Sequence, residues 1–150
     1  MFDITATIQA IQSLFESSGY FPSVIVGEPK DAPSDMTIAI FMMDIEEPAT
    51  TLSGTIEVYG MMARIYGGKN IFDPMENLEL GLAKAVSKAL SLLAGSFTLG
   101  GTVRAIDWSG EEGGGKVGVK WGHGDVSGVM MRLADLSIPV IVDDSATFAP

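Results

Sequence analysis

Cysteine is missing from this 150-residue chain, so it can form no disulfide, no thiolate zinc site and no thiol nucleophile. Histidine is nearly missing as well. His123 stands alone, which rules out a two-histidine metal site or a histidine pair within one chain. Basic residues are scarce: nine Lys and Arg against nineteen Asp and Glu give a formal net charge of −10. Affinity for nucleic acid comes largely from cations that displace counterions from phosphates, so this balance argues against nucleic acid as the main partner and for acidic charge that keeps the protein dissolved. No uncharged apolar run approaches the ~18 residues of a membrane span. The start, Met1-Phe2-Asp3-Ile4, lacks the basic and apolar regions of a secretion signal. The expectation is a protein made in a reducing cytosol, with no membrane partner. With no internal linker, low-complexity block or fixed-period repeat, residues 1–150 read as one domain.

Apolar residues, by contrast, are abundant. They make up 47% of the chain, with a mean hydropathy of +0.31, and this excess has to be buried somewhere. Asp3 can cap a first helix whose apolar stripe is Ile4, Ile8, Ile11, Leu14 and Phe15, ended by Ser17-Ser18-Gly19. A β-branched run, Ser23 to Val26, and a longer one, Met36 to Met42, read as strands. Between Asp44 and Gly54 the acids Asp44, Glu46 and Glu47 accompany Pro48, Thr50 and Thr51, which predicts an exposed loop or hairpin tip. A long strand follows from Thr55 to Tyr66.

The second helix carries the clearest signals. Asp73 is a cap candidate, Pro74 fits the first helical position, Glu76 completes a capping-box spacing, and Leu78, Leu82, Val86, Ala89 and Leu93 form its stripe. Strands are then expected at Thr102 to Ser109, Lys116 to Trp121 and Val126 to Val142, with Gly-rich turns between them. The last would span about 55 Å if straight, so a bend is expected near Ala134-Asp135 or Pro139. The predicted fold class is α+β, a mainly antiparallel (mixed) sheet with two helices packed on one face.

Paired methionines at 42–43, 61–62 and 130–131 lie in or beside these strands, where neighbouring side chains point to opposite faces. Both faces of the sheet are therefore apolar. Two helices cover one face; a partner subunit is the economical cover for the other, long loops of the same chain being the alternative.

Candidate chemistry is thin. Gly110 to Lys116 matches the first part of a phosphate-binding G-x-x-x-x-G-K loop, but Val117 replaces the magnesium-binding hydroxyl and Glu111 and Glu112 sit where phosphates would lie. A hairpin connection fits better. His123, among glycines, is expected in an exposed turn, with no nucleophile elbow to complete a triad. The acid pairs Glu46-Glu47, Glu111-Glu112 and Asp143-Asp144 lack the spacing of a calcium loop and read as solvated turn charge. Trp108 and Trp121 are expected to pack across a hairpin rather than to stack on sugars or bases. The residues therefore offer no catalytic, cofactor or metal set.

The order of elements does carry a resemblance. The first helix, Val24 to Pro29, the strand at 55–66, the helix at 76–93, the segment Gly95-Ser96-Phe97-Thr98-Leu99-Gly100-Gly101-Thr102-Val103-Arg104-Ala105-Ile106-Asp107, Met130-Met131-Arg132-Leu133 and Ile138-Pro139-Val140-Ile141-Val142 together resemble the tail terminator and minor tail proteins of long-tailed bacteriophages. The likeness covers nearly the whole chain and rests on element order and phrasing. It implies a structural virion protein, not an enzyme, assembled in the host cytoplasm. Such a protein forms a hexameric ring on the completed tail tube and joins it to the head-completion or neck protein, with DNA passing through unbound. Asp44, Glu46, Glu47, Thr50 and Thr51 would then belong to an assembly loop, and Glu111 and Glu112 to a lumen or rim. Another neck or tube component, or a small-molecule-binding domain, are the alternative functions; a deep pocket with convergent polar groups would distinguish the last.

Overall fold

The computed structural model describes residues 3–51, 54–68, 75–96, 98–111 and 115–143, with side chains left out at 46–51, 54–56, 75–76 and 143. Its elements are α1 (Ile4–Ser17), β1 (Ser23–Val26), β2 (Thr37–Thr51), β3 (Gly54–Tyr66), α2 (Met75–Ala94), β4 (Ala105–Ile106), β5 (Gly118–Val126) and β6 (Val129–Asp143). This is an α+β fold with a six-stranded mixed sheet. The strand order is β1-β2-β3-β6-β4, and β5 lies on the same edge of β6 as β4. Among the described strands, only β1 and β2 pair in parallel.

Asp3 caps α1 as expected, its Oδ1 accepting from the Ala6 amide at 3.0 Å. The stripe it starts buries Ile11 and Phe15 completely, with Ile4, Ile8 and Leu14 packed alongside. Phe15 meets Phe21 edge-on at 5.6 Å between centroids, which ties the helix to the approach to β1. In α2 the expected stripe is the observed one, since Leu78, Leu82, Val86, Ala89 and Leu93 are all buried. Its expected cap, Asp73 with Pro74, lies outside the described residues.

Ile11, Phe15, Leu82, Ala89 and Leu93 share one core with Ile38 and Ile40 of β2, Met61, Ala63 and Ile65 of β3, and Ala134, Leu136, Ile138 and Val140 of β6. Those strand positions alternate, so they occupy one face of the sheet. A second cluster, Ala39, Tyr66, Val126, Met131 and Leu133, occupies the opposite face and contains no helix residue. Part of its cover comes from the chain itself. Ala32 of the β1–β2 connection and Ile25 of β1 pack on it, and the backbone at Ser34-Asp35 lies so close to Gly68 that a Cβ there would collide with it. A loop of the same chain, one of the two covers expected for this face, thus contributes to covering this cluster.

Several expected boundaries are corrected. Of the loop or hairpin tip expected between Asp44 and Gly54, the hairpin is found, but Asp44 to Thr51 is strand: β2 continues to Thr51 and β3 begins at Gly54, with Thr51 opposite Gly54. The acids and Pro48 are accommodated by two register shifts, between Met42 and Asp44 and between Glu46 and Ala49, where extra residues leave the ladder. The strand expected at Thr102 to Ser109 shrinks to Ala105–Ile106. The Gly-rich turn expected after Trp121 is instead strand, and β5 runs on to a tight turn at Ser127-Gly128, both at positive φ. Gly124 shows why glycine belongs in this strand, since a Cβ there would lie 2.7 Å from a Leu133 methyl.

The connection at 107–117, expected to close a hairpin, joins two strands that both run antiparallel to β6 and do not pair with each other. Along β6 the register with β3 is unbroken from Leu133 to Asp143, through both points where a bend was expected. Pro139 fits because it falls between the stretch paired with β5, which ends at Ser137, and the stretch paired with β4, which begins at Val140. Its carbonyl accepts from the Asp107 amide on that side, so its missing N–H points into the gap between the two partner strands and forfeits no ladder bond.

Candidate functional site

The sequence-predicted site residues do not converge. Asp44, Glu46, Glu47, Thr50 and Thr51 lie along the far half of β2, on the arm it forms with β3. Glu111 is exposed in the connection after β4, and Glu112 lies outside the described residues. The Glu111 amide, with that of Gly110, donates to Oδ1 of the buried Asp107, each at 3.1 Å. This holds the first turn of the connection in place. His123 is exposed, as expected, but in β5 opposite Arg132 rather than in a turn. Trp121 is in mid-strand opposite Ala134 and Trp108 follows β4, so they do not face each other across a hairpin.

The main polar constellation was missed by sequence reasoning. Arg64 of β3 sits on the face away from the helix core, directly opposite Asp135 of β6. Its Nε and Nη2 donate to the two Asp135 carboxylate oxygens at 2.7 and 3.1 Å, and its Nη1 donates to Glu28 at 3.3 Å. The guanidinium also lies 5.4 Å from the centroid of the Phe41 ring. The Asp135 carboxylate, through these hydrogen bonds, holds the Arg64 pKa well above its ordinary value. Burial raises the neighbouring Tyr66 phenol, against the pull of Arg64.

Arg64 thus clasps two parts of the chain. Its bidentate pair staples β3 to β6, and its third bond holds Glu28 at the root of the segment that covers the second cluster. A signal for this was present in the sequence, since Arg64 and Asp135 each stand alone as charged residues within apolar runs, Met61 to Tyr66 and Leu133 to Leu136. A cleft of about 160 Å³ beside the clasp is lined by Glu28, Arg64, Tyr66, Asp125 and Ser127. Every donor of Arg64 described above is already directed to a protein acid, and Asp125 is engaged by the Gly128 amide at 2.8 Å. The arrangement does structural work: it neutralises charge and fixes a loop.

Among the described residues no group of three or more His, Asp or Glu is placed to hold a metal ion, and no helix is long and apolar enough to cross a membrane. What the surface does present is large apolar side chains on the outer strands. Met43 and Ile45 of β2 are 57% and 54% exposed, and Trp121, Val129 and Met130 of the β5–β6 hairpin are 42%, 38% and 66% exposed. Neither the protein-family models nor the curated proteins compared with the chain match it.

Proposed function

We propose that this protein is a structural virion subunit that forms a closed ring of six copies on the completed tail tube of a long-tailed bacteriophage and joins the tail to the neck. The observation that carries this reading is the set of large apolar side chains left exposed on both outer flanks of the sheet, at Met43 and Ile45 on one side and at Trp121, Val129 and Met130 on the other. Exposed apolar groups gathered on strands are surfaces waiting for a partner. The acidic balance of −10 suits a ring through which DNA passes without sticking. The resemblance in element order supplies the phage context.

The test is native mass spectrometry with negative-stain microscopy, across protein concentration and salt, alone and with assembled tails. The expected result is a closed six-membered species in at least one of these settings, located at one end of the tail. A protein that stays monomeric in all of them, tails included, overturns the proposal.

A further inference from the structure

Each flank of the sheet has an edge that no strand among the described residues pairs with. On one flank, β1 covers β2 only from Thr37 to Ile40, leaving the outer edge of β2 open from Phe41 onward. On the other, β5 pairs with β6 alone from Gly118 to Val126, with no register shift. Open edges template the addition of another strand, and proteins blunt them with bulges, proline or charge. The β2 edge is blunted beyond Glu46 by its second bulge and Pro48, which leaves Asp44-Ile45-Glu46 as the regular piece between the two bulges. β5 contains neither bulge nor proline.

The sheet order decides how the two edges can meet. β2, β3, β6 and β5 are each antiparallel to the next, so β5 runs opposite to β2. Ile45 stands level with Val140 and Trp121 with Ala134, about 20 Å apart along β6, so a second copy related by rotation about an axis tilted from the strands brings the open part of its β2 beside β5 in antiparallel sense, with the helix-side faces continuous. Residues opposite one another in such a pair share a face. Ile45 is opposite Tyr59 and Tyr59 opposite Val140, while Trp121 is opposite Ala134. Val140 and Ala134 belong to the helix-side core, so Ile45 and Trp121 are on the same face. Lys120, opposite Asp135, is on the other face, as are the register positions of Asp44 and Glu46, opposite Gly60 and Val58.

We infer that the partner for the β5 edge is the β2 edge of a second copy of this chain. Ile45 lies opposite Trp121, Glu46 opposite Lys120 and Asp44 opposite Gly122. This covers the two half-exposed apolar side chains and sets an acid against the lysine. The contact is heterologous, one flank against the other, and such contacts close into rings or run on as filaments. Two-fold pairing of β5 with β5 lacks this match. Opposed residues would then share parity, and the even positions of β5 are Gly118, Lys120, Gly122, Gly124 and Val126, so Lys120 would meet no acid. The inference rests on the ring reading for its occupant and goes beyond it by naming the edge, direction and register.

Because the chain has no cysteine, disulfide trapping has a clean background. Ile45→Cys and Trp121→Cys proteins are mixed at a concentration below that at which rings accumulate, oxidised, and compared with each variant alone. The expected result is a mixed Ile45–Trp121 dimer formed at least about ten-fold faster than either homodimer. The uncross-linked chain with Lys120→Glu should associate roughly ten-fold more weakly, and adding Glu46→Lys should restore most of the loss. Rings that form normally while the mixed disulfide does not exceed the homodimers leave the ring reading standing and overturn this interface. A Trp121→Cys homodimer that forms fastest assigns the β5 edge to itself and also overturns it. Monomers throughout, with no preferred disulfide, overturn both readings together.

Discussion

Arg64→Ala removes the clasp between β3, β6 and the covering segment, and its cost can be worked from the geometry. The Arg64 and Asp135 side chains are only 25% and 21% exposed, so the pair is mostly withdrawn from water. Breaking a fully buried pair costs about 3–5 kcal/mol because the remaining charge is stranded. Partial access for water lowers that to about 2 kcal/mol for Asp135, and loss of the contact with Phe41 adds about 0.5 kcal/mol. The sum of about 2–3 kcal/mol corresponds to a fall of about 5–10 °C in Tm for a chain of this length. The assay is urea unfolding followed by tryptophan fluorescence, with thermal unfolding beside it. Most of the cost lies in the stranded carboxylate, so a double replacement, Arg64→Leu with Asp135→Leu, should recover to within about 1 kcal/mol of the native protein. Glu28→Ala, which removes a largely exposed partner, should cost under about 0.5 kcal/mol. An Arg64→Ala protein that loses less than about 0.5 kcal/mol, or a double replacement no better than the single, would refute the assignment of Arg64 as a clasp.

Three further outcomes are expected. Leu82, fully buried in α2, should cost about 2–5 kcal/mol as Leu82→Ala, read by the same urea titration. Burial raises the Tyr66 phenol, so above about pH 10 the unfolded chain gives up this proton before the folded one does. The contribution is therefore complete below that pH and is lost as pH climbs toward the folded value; stability should fall more steeply above about pH 10 in the native protein than in Tyr66→Phe. On the ring reading, Lys substitutions at Glu47, Glu111 and Glu112 should leave rings intact yet produce salt-sensitive DNA retention and slower genome delivery. Normal delivery from particles carrying such rings removes these acids from the lumen.

The parts of the fold that were legible in the sequence are those where a single local rule acts. The α1 cap at Asp3 and the α2 stripe from Leu78 to Leu93 follow from helix capping and periodicity, and both elements fall where those rules place them. The misreadings arise where tertiary pairing overrides composition. Acids and a proline at 44–51 look like a loop, but the long β3 ladder holds them as strand by letting residues bulge out. Gly122 and Gly124 look like a turn, but β6 supplies a pairing surface and Leu133 occupies the room that a side chain at 124 would need. A proline inside the long strand at 129–143 looks disruptive, yet two different partners share one of that strand's edges and Pro139 falls between them. The Arg64 clasp was beyond reach for a related reason. Lone charges in two apolar runs suggest a pair, but only the register of β3 against β6 brings together residues 71 positions apart.

The second apolar cluster has a consequence for assembly. Paired methionines invite a partner subunit laid flat on the face opposite the helices, but Ala39, Tyr66, Val126, Met131 and Leu133 are at most 8% exposed in the single chain. A second sheet stacked there would gain little, because burial stabilises only by area removed from water. Apolar area still in water is found instead at the flanks, at Ile45 and Met43 on β2 and at Trp121 on β5, and at the end of the β5–β6 hairpin, at Val129 and Met130, besides Tyr20, Val26, Leu80 and Trp108 elsewhere on the surface. That hairpin runs past the last β3 pair, Tyr66 with Leu133, whereas the β2–β3 arm ends at Thr51 and Gly54, toward the other end of β6. On the ring reading, the flanks then join neighbours around the ring, while the two hairpin ends, at opposite ends of tilted strands, lie toward its opposite rims. On that reading, the exposed apolar end at Val129-Met130 would meet one of the two axial partners, tube or neck, and the end of the β2–β3 arm the other. Met130→Glu, 66% exposed and clear of the proposed flank contacts, should then leave ring formation intact while blocking one axial attachment, seen as rings free of tails or as capped tails that fail to take a head. Loss of the ring itself in Met130→Glu would place this residue between neighbours and reverse the assignment of flank and axis.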